Sequence, residues 1–212
     1  MNTAIIGLGN IGSRLAKNLA EGGQSFIVAD KTLAKAEKLA GELGHKVTAM
    51  SIADAASKAD VIIFAIYFDA IKETLAAYRS DLSGKIVVDP SNPIAPDGKG
   101  GFMKTLPVDE SAGKVVAALL PEGAEFVKAF GTLAAGSLAS GANRSPERAV
   151  LFYATDYPEA GKVVANLITA SGFSPVSVGG ADQSIRIEVG GDLHEMGKLG
   201  KLVSLDEAKS LV

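Results

Sequence analysis

The chain has no cysteine and no tryptophan, and only two histidines, His45 and His194, among 212 residues. Without cysteine there is no disulfide, no thiolate metal centre and no cysteine nucleophile. Two histidines so far apart argue against a histidine-rich metal centre, and no metal is expected. Charge of one sign is also not in excess: 21 Lys and Arg stand against 24 Asp and Glu, a net charge of −3. That balance makes no electrostatic case for nucleic acid or an anionic membrane surface. No run approaches the roughly twenty apolar residues of a membrane helix. Lys17 interrupts the first apolar region, and the stretch from Gly7 to Gly12 would make a poor signal-peptide core. A cytoplasmic protein is therefore expected. No Ser/His/Asp nucleophilic set, no G-x-x-x-x-G-K phosphate loop, no internal repeat and no low-complexity linker is legible. What remains is an ordinary globular balance, 47% hydrophobic and 21% charged.

Against these absences stands one dense feature, Gly7-Leu8-Gly9-Asn10-Ile11-Gly12. This G-x-G-x-x-G turn follows an apolar run, Met1 to Ile6, and precedes helical spacing from Ser13 to Glu21. The first glycine permits a tight bend, the second lets a pyrophosphate approach the backbone, and the third lets helix and strand pack closely. Gly7, Gly9, Asn10, Ile11 and Gly12 are the candidate pyrophosphate residues, at a helix N-terminus whose N–H groups and dipole favour negative charge. A second apolar run ends at Asp30, where an acid ordinarily holds the adenosine ribose hydroxyls. Lys31 and Lys35 follow and would attract a 2′-phosphate, so NADP and NAD are both admitted. The plainer alternative is a glycine-rich turn with no ligand.

Strand and helix patterns alternate along the rest of the chain. Strands are predicted at His45 to Met50, Asp60 to Ile66, Lys85 to Asp89, Glu125 to Phe130, Arg148 to Ala154 and Phe173 to Val178. Helices are predicted at Thr32 to Leu43, Ser51 to Lys58, Asp69 to Tyr78, Ser111 to Leu120, Gly136 to Ala142, Tyr157 to Ser171 and from Leu205. Residues Ile94 to Asp109, with Pro96, Gly98, Gly100, Gly101 and Pro107, read as a loop. The pattern predicts a Rossmann-type, doubly wound, mostly parallel α/β sheet. One domain is expected over 1–212, with a short C-terminal extension from about 179.

In such a sheet the ligand crosses the C-terminal ends of the strands. Ile66, Tyr67, Ser91, Asn92 and Phe130 lie there and are candidates to frame a nicotinamide. Tyr67 and Phe68 would wall the pocket or else pack as core. Asn92 would bond the nicotinamide or its ribose, or else close an Asx turn. His194 follows Gly190-Gly191 and, with Tyr67, is a candidate proton donor should one be needed.

GLGNIG at the start, DVIIFAIYFDAI, DPSNP and VKAFGT together resemble the NADP oxidoreductases dependent on the deazaflavin coenzyme F420, from Met1 to about Val178. The resemblance implies a nicotinamide dinucleotide and hydride transfer to a second ring, a deazaflavin, a flavin or another small acceptor. The cytoplasmic ferric-reductase domains of six-helix membrane proteins look similar. Family members usually carry K-A-F-N where this chain has Gly131, and proline then tryptophan or histidine where it has Tyr67-Phe68. The first departure is expected to open the second-substrate pocket. The expected function is an NAD(P)H-dependent oxidoreductase, with a homodimer expected because many related folds form dimers. A non-catalytic redox sensor and a small carbonyl or imine reductase are the alternatives.

Overall fold

Short buried runs separated by amphipathic helices leave each strand with helices on both faces, and the chain folds accordingly. The computed structural model describes residues 1–98 and 102–212. In chain order the elements are β1 (Thr3–Ile6), α1 (Asn10–Glu21), β2 (Phe26–Ala29), α2 (Leu33–Leu43), β3 (Val47–Met50), α3 (Ile52–Lys58), β4 (Val61–Phe64), α4 (Phe68–Ala77), β5 (Ile86–Asp89), β6 (Ile94–Pro96), β7 (Phe102–Lys104), α5 (Ala112–Leu119), β8 (Glu125–Lys128), α6 (Ala135–Ser140), β9 (Val150–Tyr153), α7 (Pro158–Ala170), β10 (Ser174–Ser177) and α8 (Leu205–Lys209). Short 3-10 helices occupy Arg79–Asp81 and Ala181–Ile187.

The main sheet has six strands in the order β3-β2-β1-β4-β5-β8. Every pairing in it is parallel. Chain order reverses beside β1, which is the switch point where such sheets bind ligands. Alternate residues face opposite layers, as the strand period of two requires. Ile5, Val28, Ile63 and Val88 pack with Leu15, Leu19, Leu39 and Ile168 on one face. Ala4, Ile6, Ile62, Phe64 and Val87 pack with Ile71, Leu75 and Val116 on the other.

Two departures from the predicted alternation stand out. The seventh and eighth predicted strands form their own parallel pair, β9 and β10. This pair meets the main sheet through one antiparallel bridge between Lys128 and Ala154. Part of the predicted loop is a hairpin, with Ile94 opposite Lys104 and Pro96 opposite Phe102. Three-residue strands rich in proline and glycine neighbours carry too little alternation to be read. Gly100 and Gly101 of that loop lie outside the described residues. The segment 179–212 packs inward: Ile187, Leu193, Val203 and Ala208 join Val150, Phe152 and Val176 in a third apolar cluster. Among the described residues no helix is long and apolar enough to cross a membrane.

Candidate functional site

The three motif glycines are required for different reasons. Gly7 has φ +93°, and a Cβ there would lie 2.3 Å from Ile66 Cγ2 and 2.6 Å from the Ala65 carbonyl oxygen. A Cβ on Gly12 would lie 1.9 Å from the Gly7 carbonyl oxygen, so glycine lets α1 seat on the turn. Gly9 differs: its φ is −72°, open to any residue, and a Cβ there would meet no protein atom within 4 Å. The fold itself makes no demand for glycine at this position. Gly9 is also the N-cap of α1, which has no side-chain cap and no acid in its first turn. The helix thus presents the N–H groups of Asn10, Ile11 and Gly12 with no side chain among the described residues to accept them. The Asn10 side chain is exposed and accepts from Arg14 Nη1 at 3.3 Å, and Ile11 packs against the core.

Asp30 is tied to this turn. Its Oδ2 accepts from the Leu8 N–H at 2.9 Å and from Lys35 Nζ at 3.2 Å, while Oδ1 accepts from the Thr32 N–H at 3.2 Å. Burial works against the ionised carboxylate, but the Leu8 and Thr32 N–H groups and Lys35 outweigh it and hold the acid below its ordinary 3.8. Asp30 therefore locks the end of β2 to the glycine turn as an anion already half neutralised. Lys31 is exposed beside it.

The turns after β4, β5 and β8 share the same sheet edge. Tyr67 is 80% exposed at the N-cap of α4. Ile66 is half-buried behind it, and Phe68 is buried, its ring 4.4 Å from Lys72 Nζ. Ser91 is 5% exposed, and its Oγ has no partner among the described residues. Phe130 is fully buried with φ +64°, a left-handed conformation that costs a non-glycine residue about 1–2 kcal/mol. Such strain gathers where geometry matters for function.

Three expectations change here. Asn92 is committed within the protein: Nδ2 donates to the Gly131 carbonyl at 2.9 Å, and Oδ1 accepts from the Val189 N–H at 2.7 Å. It braces two turns to the C-terminal segment, which leaves one N–H and one lone pair of Oδ1 for a ligand. Gly131 does not open a pocket. A Cβ there would sit 2.5 Å from the Pro90 carbonyl oxygen, so glycine allows the two turns to touch. The amide missing at 131 has a neighbour in Asn92, whose Nδ2 lies 3.5 Å from that Cβ position. His194 is buried, with Nε2 donating to the Gly131 carbonyl at 2.9 Å and Nδ1 accepting from the Met196 N–H at 2.8 Å. Burial pushes its imidazole below the ordinary 6.5, which leaves it neutral. With both nitrogens engaged, it is a brace and has no proton to give.

Sequence reasoning missed a buried ionic group. Lys128 Nζ lies 2.7 Å from Asp89 Oδ2 and 3.4 Å from Glu188 Oε1, and it donates to the Ser91 carbonyl at 2.5 Å. All three charged side chains are at least 98% buried. Lys128 belongs to VKAFGT, one of the stretches carrying the resemblance, but no local pattern pairs it with Glu188. Breaking such a buried group by removing one member costs about 3–5 kcal/mol.

Comparison with known proteins agrees with this geometry. Residues 2–93 match the profile of the family described as NADP oxidoreductase, coenzyme F420-dependent. The F420-dependent NADP reductase of Methanothermobacter thermautotrophicus is 27% identical over 89% of this chain and 85% of its own length. Metalloreductase STEAP3 of Rattus norvegicus is 28% identical over 87% of this chain, which spans only 35% of that protein. A crystal structure of a hypothetical protein of Sinorhizobium meliloti is 32% identical, covers 96% of this chain and 95% of its own, and superposes with a TM-score of 0.84. The glycine turn, the sheet order and these likenesses place the chain in the family of coenzyme F420-dependent NADP oxidoreductases.

Proposed function

We propose that this oxidoreductase binds NADP(H) across the C-terminal edge of its main sheet and exchanges hydride with a small flavin-like acceptor, a deazaflavin among the candidates. The observation that carries the reading is Gly9. Glycine stands where the fold does not need it, in front of a helix N-terminus with no side-chain cap. A pyrophosphate needs both features, the open approach and the free N–H groups. The N–H groups of Asn10, Ile11 and Gly12 would hold it. Lys31, with Asp30 and Lys35, would meet the adenosine ribose, and NAD(H) remains the second coenzyme to test. Ile66, Tyr67, Ser91 and the Phe130 turn would frame the nicotinamide, and the unpartnered Ser91 hydroxyl fits a polar ligand atom.

The bound dinucleotide would supply the hydride. The chain's own residues bind, orient and shield it, and positioning alone contributes a large part of the acceleration in such reactions. Direct transfer between two rings needs no acid or base, which agrees with a site poor in titratable groups. Reduction of a carbonyl or imine would require a proton donor, and the exposed Tyr67 hydroxyl is the candidate left at this edge once His194 is engaged. We further propose that residues 1–212 act as one dinucleotide-binding domain, in the cytoplasm and as a homodimer, which sedimentation would check.

Stopped-flow oxidation of enzyme-bound NADPH by coenzyme F420, flavin mononucleotide, a quinone and simple carbonyls tests the reading. Rapid oxidation by a flavin-like acceptor is expected. Tight NADPH binding with no oxidation by any acceptor would indicate a redox sensor instead.

A further inference from the structure

The C-terminal segment from Glu188 to Met196 is bonded at Val189, His194 and Glu195 to the turns that follow β5 and β8, and at Glu188 to the start of α5. Glu188 Oε1 accepts from Ser111 Oγ at 2.8 Å and from the Gly113 N–H at 2.7 Å, and Oε2 accepts from the Ala112 N–H at 3.0 Å. This carboxylate serves as the anion at the start of α5 and also faces Lys128. Lys128 in turn holds the Ser91 carbonyl, and Asp89 Oδ1 accepts the Ser91 N–H at 2.7 Å. Both backbone groups of Ser91 are thus fixed by one buried ionic group. Val189 reaches the neighbouring Asn92, and the Glu195 N–H donates to the Thr132 carbonyl at 3.1 Å.

Fixing a backbone so firmly around a side chain with no protein partner is what draws attention to Ser91. Its Oγ is a buried hydroxyl with no bond to any described residue, on a residue pinned at both its N–H and its carbonyl. A closure serving only the fold would have no use for an unsatisfied hydroxyl, because an unpaired buried polar group costs about 1–3 kcal/mol. Among the described residues the other unpartnered buried hydroxyl is Ser184 Oγ, which lies against Gly113 where α5 meets the 3-10 helix Ala181–Ile187.

We infer that Glu188 is a positioning residue for hydride transfer: through Lys128 it fixes Ser91, so that the Ser91 hydroxyl meets the nicotinamide carboxamide of the bound dinucleotide. The inference rests on the dinucleotide reading proposed above. It makes the segment 188–196 part of the site's wall and divides the site in two. The adenosine end, built on α1 and β2, does not depend on Glu188. The nicotinamide end does.

The test compares wild type, Glu188→Gln, Ser91→Ala and the double variant. Calorimetry measures 2′,5′-ADP, which carries only the adenosine end, and NADPH. The fluorescence lifetime of bound NADPH reports how firmly the reduced nicotinamide is held. The expected result is 2′,5′-ADP affinity within twofold of wild type in every variant. NADPH should bind about tenfold more weakly to each single variant, with a lifetime shortened towards that of free NADPH. The double variant should lose little more than either single one, because both changes remove the same contact. Additive losses, equal losses for both ligands, or unchanged NADPH binding would each overturn the assignment. If wild type binds neither ligand, the dinucleotide reading itself falls. Should Glu188→Gln fail to fold, Ser111→Ala, which removes one bond from the same carboxylate, takes its place with the same expected pattern at smaller amplitude.

Discussion

Replacing Gly9 and Gly12 in turn should separate ligand binding from folding within a single motif. At Gly9 the backbone φ is ordinary and a Cβ meets nothing within 4 Å. The structural cost of Gly9→Val is then that of a poorer N-cap, about 1 kcal/mol at most. For a chain of this size that lowers Tm by about 2–4 °C. At Gly12 the new Cβ would lie 1.9 Å from a backbone oxygen that has no flexible side chain to swing aside. Helix α1 must lift off the turn, and Gly12→Val should cost more than about 4 kcal/mol, the range reserved for severe core damage. NADPH at a hundred times its dissociation constant adds about 2.7 kcal/mol of stability, or roughly 5–11 °C in Tm at the same conversion. Thermal melts of wild type and Gly9→Val, with and without NADPH, read both quantities. The expected pattern is a near-normal melt for Gly9→Val and an NADPH shift reduced to less than about 2 °C. A full NADPH shift in a folded Gly9→Val protein would refute the argument that this glycine serves a ligand.

Three further outcomes follow from the geometry. Lys35→Met should strip Asp30 of its neutralising cation and weaken NADP relative to NAD about fivefold, the size of an exposed ion pair, while Lys31→Ala should weaken NADP alone; an unchanged ratio of dissociation constants in both would remove these residues from coenzyme choice. Gly131→Asn, which restores the family's usual residue, should destabilise by about 2–3 kcal/mol as an overpacked site does, because its Cβ meets the Pro90 carbonyl; urea unfolding with an unshifted midpoint would contradict this. His194 is held below 6.5 in the fold, so below that pH the unfolded chain binds more protons than the folded one and stability falls as pH drops from about 6.5 through the folded value; His194→Gln should flatten that part of the Tm–pH curve, and parallel curves would show that another group is responsible.

The parts of this protein that can be read from sequence are those in which cause and effect lie close together along the chain. The turn Gly7 to Gly12 is such a case, since strand, turn and helix are contiguous, and only the crowding atoms of Ala65 and Ile66 come from far along the chain. The main-sheet strands are legible for the same reason: continuous apolar runs such as Val61 to Phe64 are what burial on both faces requires. Asn92 reads in the sequence as a nicotinamide contact or an Asx turn and not as a brace, because its partners at Gly131 and Val189 lie 39 and 97 residues away. Gly131 shows the converse error. A residue smaller than the family's suggests space, yet the space is filled by the Pro90 carbonyl of another turn. Lys128, Asp89 and Glu188 are unremarkable letters until the fold buries them together.

That buried group also sets an order of events during synthesis. Ser111 and Glu188 are separated by 77 residues, so at 5–20 residues per second the N-terminus of α5 waits roughly 4 to 15 seconds for its carboxylate. Over that interval the six strands of the main sheet can pair, since their parallel ladder needs nothing beyond Lys128. The buried lysine has Asp89 for company but lacks its second anion. The nascent chain would acquire its adenosine half early and its nicotinamide half late. A ribosome-stalled chain stopped short of Glu188 should therefore be a coenzyme binder before it is an enzyme.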